Sequence, residues 1–201
     1  MRTCFRNLNL YILTAGLTLL SACGPSSSAV QATLLPEPLA LPDFELVDQD
    51  GNTFTRDSLR NDWTLLFFGF THCPDICPNT LQKLAMARAR LADDQTAESL
   101  PRIVLISVDP DRDSSEILKE YVSYFGAGVG GATGSMDELL SLTRGLGIFF
   151  QKDEPTDGNY NVSHSTGVLL INPNAELHAI LASPLTVDTV VQDLSIVIAQ
   201  R

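Results

Sequence analysis

The sequence is poor in basic residues. Its 201 residues include 13 lysines and arginines against 24 aspartates and glutamates, which gives a formal net charge of −11. Nucleic-acid-binding proteins neutralise phosphates with clusters of lysine and arginine, so no nucleic-acid partner is expected. The acidic charge suits a domain held near a membrane or a basic protein partner, although solubility alone would explain it equally well.

The chain also lacks an apolar run that would comfortably span a membrane. Its first apolar stretch covers residues 10–20, whereas a transmembrane helix needs about 20 apolar residues. Arg2 and Arg6 precede this stretch and Leu-Ser-Ala-Cys ends it, which is typical of a bacterial export signal. The sequence therefore predicts a lipoprotein signal peptide over residues 1–22, with Cys23 as the lipidated first residue of the mature chain.

The alternative is an uncleaved anchor helix in which Cys23 is incidental. In both cases we expect the folded part in the cell envelope, attached to a membrane and facing the periplasm or another extracytoplasmic space. Residues 23–40 are rich in serine, proline and alanine, which predicts a flexible tether. Residues 41–201 have the size of one ordinary domain.

Periodicity and turn residues predict the elements of that domain. They comprise a hairpin over residues 44–55, strands over 64–70, 103–108, 148–150, 167–171 and 177–182, and helices over 80–92, 113–125, 135–146 and 186–199. This order predicts an α/β fold with a mixed central sheet flanked by helices and a hairpin at its N-terminus. A thioredoxin-like arrangement fits best, because a cysteine pair stands at the first strand–helix corner and a late hairpin precedes the last helix.

Cysteine is scarce, with four residues in all. Cys4 lies in the predicted signal and Cys23 would carry lipid, so Cys73 and Cys77 remain for the folded part. They follow the strand over 64–70 at the start of a helix, where backbone N–H groups favour negative charge. Such a pair outside the cytoplasm can form a structural disulfide, act as a redox couple or bind a soft metal.

Histidine occurs only three times. His178 lies in a predicted strand and is expected to face solvent. His72 adjoins Cys73, but neighbouring residues of an extended segment point in opposite directions. His164 precedes the strand over 167–171, in a loop that a thioredoxin-like fold packs beside the cysteine corner, so it is the best third ligand.

Two thiolates and one imidazole favour Cu(I) and could also hold Cu(II). Structural zinc is less well matched, because it usually takes four protein ligands.

Two other signals are interpreted as structural. Residues 126–131 (GAGVGG) spell a dinucleotide-binding fingerprint, but they follow a helix rather than a strand, so we expect a flexible loop. Asp109, Asp111 and Asp113 suggest a site for a hard metal. Asp113 is better interpreted as a helix cap and Asp109 as a residue of the turn after a strand.

Three ordered motifs carry a family resemblance. They are residues 69–78 (GFTHCPDICP), residues 107–113 (SVDPDRD) and residues 162–165 (VSHS). Together they resemble the SCO/SenC family, whose members are thioredoxin-fold, membrane-attached copper proteins implicated in maturing the CuA site of cytochrome c oxidase. The resemblance implies copper ligands at Cys73, Cys77 and His164. One departure is Ser163, where the family usually has aspartate.

The resemblance implies a membrane-tethered assembly factor, more a copper chaperone than an enzyme. It would deliver copper to the oxidase subunit that carries CuA, and other periplasmic copper carriers are further candidate partners. The alternative is a thiol–disulfide oxidoreductase that uses Cys73 and Cys77 to reduce the acceptor's cysteines. Three residues separate this pair instead of the common two, and no proline precedes the strand over 167–171, which weighs against a general redox enzyme.

Overall fold

The computed structural model describes residues 30–92, 100–155 and 160–199. The predicted signal peptide, Cys23 and the first part of the predicted tether lie outside the described residues. Within the described part of the chain, no helix is long and apolar enough to cross a membrane.

Three strands come first, and strands and helices then alternate from residue 64 to residue 145. The strands are β1 (Thr33–Ala40), β2 (Glu45–Asp48), β3 (Thr53–Thr55), β4 (Thr64–Gly69), β5 (Arg102–Ser107), β6 (Val129–Thr133), β7 (Phe150–Lys152), β8 (Val162–His164), β9 (Val168–Ile171) and β10 (Glu176–Leu181). The helices are α1 (Ile76–Ala92), α2 (Ser115–Ser123), α3 (Met136–Gly145) and α4 (Val187–Ala199), with a short 3₁₀ helix at Arg56–Leu59.

Eight strands form one mixed sheet in the order β1-β10-β9-β4-β5-β6-β2-β3. The central strands β4, β5 and β6 are parallel, while the strands on either side pair antiparallel. β7 and β8 form a separate two-stranded hairpin. The predicted fold class is confirmed: the domain is thioredoxin-like, with a mixed sheet, flanking helices and the β2–β3 hairpin near its start.

The core lies along the central strands and one face of α1. Every residue of β4 is buried, including Phe67 and Phe68, as is nearly all of β5. α1 buries residues at helical spacing, namely Cys77, Leu81, Leu84, Ala87 and Leu91. Full burial of a large apolar side chain contributes about 1.5–3 kcal/mol, so the strand–helix corner between β4 and α1 rests on a rigid base.

The prediction of a flexible tether is wrong for residues 33–40. These residues form β1, which pairs with β10 at Thr33, Leu34, Leu39 and Ala40. The main-chain N–H groups of Gln31 and Ala32 donate to the buried Asp193 carboxylate on α4. The prolines that suggested a tether lie where the register shifts, and an edge strand tolerates proline because its outward N–H has no ladder partner. Residues 23–29 lie outside the described part.

The glycine-rich segment was also predicted wrongly in part. Val129–Thr133 form β6, paired parallel to β5, instead of continuing a flexible loop. A Cβ at Gly131 would lie 3.2 Å from Val122 and 3.4 Å from Leu118. Glycine at this position therefore allows α2 to pack closely on the strand.

Candidate metal centre

The cysteine pair stands where β4 gives way to α1. Cys73 lies in the connecting loop and Cys77 is the second residue of the helix, which begins four residues earlier than predicted. Both are free thiols, and the Cys77 N–H points at Cys73 Sγ over 3.4 Å. The Cys77 N–H belongs to the first turn of α1, so Cys73 Sγ lies at the N-terminal end of the helix.

Cys77 is packed against the end of strand β4, which forms the buried side (the floor) of the site at Phe67 and Gly69. It is 0% exposed, and a Cβ added to Gly69 would lie 2.7 Å from its Sγ. Burial raises the pKa of the Cys77 thiol well above its ordinary value, because a buried thiolate loses its hydration. In the absence of a cation Cys77 therefore remains protonated at neutral pH, and metal binding must release that proton.

His164 ends strand β8 and faces the same floor. Its Nε2 lies 3.5 Å from Cys77 Sγ, and its Nδ1 lies 2.9 Å from the carbonyl oxygen of Ser165. A carbonyl oxygen only accepts, so Nδ1–H donates and Nε2 keeps its lone pair. The rings of Phe67 and Phe70 stand edge-on to the imidazole with centroids 6.0 Å away, and burial lowers the His164 pKa. The imidazole is therefore neutral at pH 7.

The structure brings the three sequence-predicted ligands together. One ligand atom from each of Cys73, Cys77 and His164 lies within 4.8 Å of the others. One side of this cluster opens to a groove with a mainly apolar lining that also includes the acidic residue Asp75; its apolar residues are Phe70, Pro74, Ile76 and Val162. The arrangement has the donor set of a soft metal site and leaves one side accessible to another molecule.

The other two histidines do not join the cluster. His72 is largely exposed, with Nδ1 at 3.1 Å from Thr71 Oγ1 and 3.7 Å from the Asp113 carboxylate. His178 lies on β10 and stands edge-on to Trp63, with ring centroids 5.3 Å apart. It is half-buried, so the expectation that it faces solvent is only partly correct.

A buried carboxylate holds the loop that carries Cys73. Asp113 is 0% exposed and accepts hydrogen bonds from the Thr71 N–H at 2.9 Å, Thr71 Oγ1 at 2.6 Å and Ser107 Oγ at 2.5 Å. The interpretation of Asp113 as a helix cap is wrong, because the cap of α2 is Ser114, which accepts from the Ile117 N–H. The sequence therefore predicted the cap one residue before the residue that forms it.

Ser163, beside His164, has a carboxylate as its neighbour. Its Oγ donates to Asp153 Oδ1 over 3.3 Å, across the end of the β7–β8 hairpin. The negative charge that the sequence lacks at position 163 is therefore present close by in space.

Fold and site together define a thioredoxin-like domain with two cysteines and one histidine arranged for a soft metal ion. The chain belongs to the SCO1/SenC family, whose model matches residues 33–199.

Two curated relatives and one solved structure show the extent of the similarity. A protein of Stutzerimonas stutzeri, named as a candidate copper-binding protein, is 43% identical over 155 residues, which cover 77% of this chain and 75% of the relative. The mitochondrial SCO1 homolog 1 of Arabidopsis thaliana is 42% identical over 130 residues, which cover 65% of this chain and 38% of that protein. The crystal structure of Arabidopsis thaliana ScoI with copper bound matches with a TM-score of 0.75 and 35% identity, covering 80% of this chain and 99% of the other.

Copper is thus the metal held by this fold in a relative, in agreement with the metal predicted from the donor set. The donor chemistry of this chain fits: thiolate sulfur selects Cu(I), and imidazole binds either oxidation state.

Proposed function

We propose that this chain is a membrane-tethered copper-binding assembly factor that delivers copper to the CuA site of cytochrome c oxidase. The observation that carries the proposal is the meeting of Cys73 Sγ, Cys77 Sγ and His164 Nε2 at one strand–helix corner. The SCO family is linked to cytochrome c oxidase assembly. Delivery to the CuA subunit, and exchange with other periplasmic copper carriers, are part of the proposal.

The geometry suits a site that both holds and releases a metal. Cys77 and the two phenylalanine rings close one side, while the half-buried Cys73 lies beside an open groove on the other. A ligand from an acceptor protein can reach the metal from the groove without unfolding the domain. Cu(I) is the favoured ion, because a three-coordinate site with two thiolates matches its preference for soft ligands.

The tether is proposed from the sequence. The basic start, the short apolar stretch and Cys23 support a lipid anchor, which would place the domain at a membrane on the extracytoplasmic side. A palmitate-labelling experiment with a Cys23→Ser control tests this part separately, since loss of labelling in the variant is expected.

The second candidate is reduction of the acceptor's cysteines. Both thiols are free, and their sulfur atoms lie within 4.8 Å. One of the two cysteines, as a thiolate, could attack an acceptor disulfide to form a mixed disulfide and release the first acceptor thiol. The other cysteine would then lose its proton and attack this mixed disulfide, which leaves a Cys73–Cys77 disulfide and releases the second acceptor thiol.

Copper titration of the reduced protein tests the three-ligand site. Wild type should bind one Cu(I), and His164→Ala should bind it more weakly, whereas His72→Ala should behave as wild type because His72 lies outside the cluster. Unchanged affinity in His164→Ala would refute the three-ligand site.

Mixing the copper-loaded protein with an apo acceptor domain then separates the two functions. Copper transfer supports the chaperone, and reduction of the acceptor disulfide without transfer supports the reductase.

A further inference from the structure

The metal-ligating histidine is carried by a hairpin outside the main sheet. β7 and β8 pair only with each other in the described structure, through Phe150 with His164, Gln151 with Ser163 and Lys152 with Val162. The hydrogen bonds between the strands of the eight-stranded sheet therefore do not fix the position or orientation of His164. Side-chain contacts between the hairpin region and the rest of the domain must contribute to its position.

Tyr160 makes such contacts with the loop after β5. Its hydroxyl donates to Asp109 Oδ1 over 2.6 Å, and this carboxylate belongs to a residue only 2% exposed. Arg112 Nη1 donates to the Tyr160 carbonyl oxygen over 3.1 Å, while Arg112 Nε pairs with Asp109. The side chain and the main chain of Tyr160 are thus both bound to the same loop.

Two cations also contact the tyrosine ring. The Arg112 guanidinium carbon lies 3.7 Å from the ring centroid, and Lys152 Nζ lies 3.8 Å from it. Lys152 belongs to β7 and pairs in addition with Asp111 over 2.7 Å. The ring therefore joins one strand of the hairpin to the 109–112 loop by cation–π contacts.

We propose that Tyr160 is a positioning residue for His164. Only three residues separate the two, and the intervening segment enters strand β8, whose Val162 is buried. An extended strand rises about 3.3 Å per residue and has little slack. A shift of Tyr160 is therefore passed along β8 to the imidazole. The proposal rests on the copper site proposed above and concerns how its third ligand is held.

The test uses Tyr160→Phe, which removes the hydroxyl and keeps the ring. A hydrogen bond to a charged group accounts for about a tenfold to hundredfold difference in an equilibrium, so Cu(I) should be captured by an excess of a chromogenic chelator at least several-fold faster. The increase in the rate of Cu(I) capture cannot exceed the increase that His164→Ala causes. Tyr124→Phe is the matched control, because Tyr124 is 74% exposed and its hydroxyl donates to Glu120, four residues earlier, in the contacts described.

A double variant separates positioning from a general effect on the fold. If Tyr160 acts through His164, then adding Tyr160→Phe to His164→Ala should leave the capture rate unchanged. Equal acceleration in both backgrounds would overturn the proposal, as would an unchanged rate in Tyr160→Phe. Should Tyr160→Phe fail to fold, Lys152→Met replaces it, since Lys152 is a surface residue that contacts the same ring.

A measurement without metal keeps the two proposals distinguishable. In the apo protein, Tyr160→Phe should speed amide hydrogen exchange in β8 while exchange in α3 stays as in wild type. Unchanged exchange in β8 would contradict the positioning role. If the wild type binds no copper but this exchange effect is present, the proposed function fails and the mechanical role of Tyr160 stands.

Discussion

Replacing Gly69 with alanine should damage the metal centre directly. The new Cβ would lie 2.7 Å from Cys77 Sγ, 3.1 Å from Phe67 and 3.2 Å from Leu105. An ordinary contact begins at 3.4 Å, so the sulfur or the helix start must move by about 0.7 Å. None of these three neighbours can move without displacing others, because all three side chains are fully buried.

The expected size follows from the cost of overpacking a core. Such substitutions typically lower the free energy of unfolding by about 1–3 kcal/mol, which for a domain of this size corresponds to a fall in melting temperature of about 2–12 °C. Cu(I) affinity should fall as well, since Cys77 Sγ is displaced from the other two ligand atoms. Thermal unfolding of the apo protein and Cu(I) competition with a chelator measure the two effects.

Two controls make the result specific. Gly167→Ala adds the same methyl group where the nearest atom is 3.6 Å away, so it should change neither quantity. Combining Gly69→Ala with Cys77→Ala removes the sulfur that causes the closest contact and should recover part of the stability relative to the sum of the single variants. A Gly69→Ala protein with wild-type melting temperature and copper affinity would refute the packing described for the floor of the site.

Three further predictions concern the surroundings of the site. Asp113→Asn should lower the free energy of unfolding by about 1–3 kcal/mol in urea titration, because a buried carboxylate with several donors loses its charge; the exposed Asp137→Asn should have a much smaller effect, and equal effects would contradict the role of Asp113. The lowered His164 pKa means that the folded state favours the neutral imidazole. The free energy of unfolding of the apo protein should therefore be highest above pH 6.5 and should fall as the pH falls through the folded-state pKa of His164. His164→Asn should flatten this part of the stability–pH curve, and an unchanged curve would show that another group is responsible. Ser163→Asp should destabilise the β7–β8 hairpin, since the new carboxylate would face Asp153; adding Asp153→Asn should relieve the repulsion, and a Ser163→Asp protein as stable as wild type would contradict it.

Local chemistry made much of the fold and site predictable. The uninterrupted apolar run of β4 and the helix start at Ser135 are visible in the sequence, and the structure has them. The start of α2 was predicted only one residue too early, at Asp113 instead of Ser114. The position of His164 beside the cysteines followed from assuming the fold. These features depend on patterns within a few residues or on a known topology.

The features that the sequence did not predict depend on contacts with residues that are distant in the chain. β1 forms because it pairs with β10 at the edge of the sheet, and because the Asp193 carboxylate, 161 residues from Ala32 in the sequence, accepts a hydrogen bond from the Ala32 N–H. β6 exists because α2 packs on glycine, a residue that locally signals a loop. The roles of Asp113 and Tyr160 depend on donors and cations brought together by the tertiary fold, and no local pattern marks them.

The pairing of β1 limits how far the proposed copper site can travel from a membrane. If Cys23 carries lipid, Thr33 follows it by ten positions, a distance along the chain that spans at most about 35 Å when fully extended. Through the pairs Thr33–Ile180, Ile180–Leu169 and Leu169–Leu66, the start of β1 lies level with the middle of β4. Gly69 follows Leu66 by three residues and Cys73 follows it by seven, so an anchored domain would sample acceptors only within a thin layer above the bilayer.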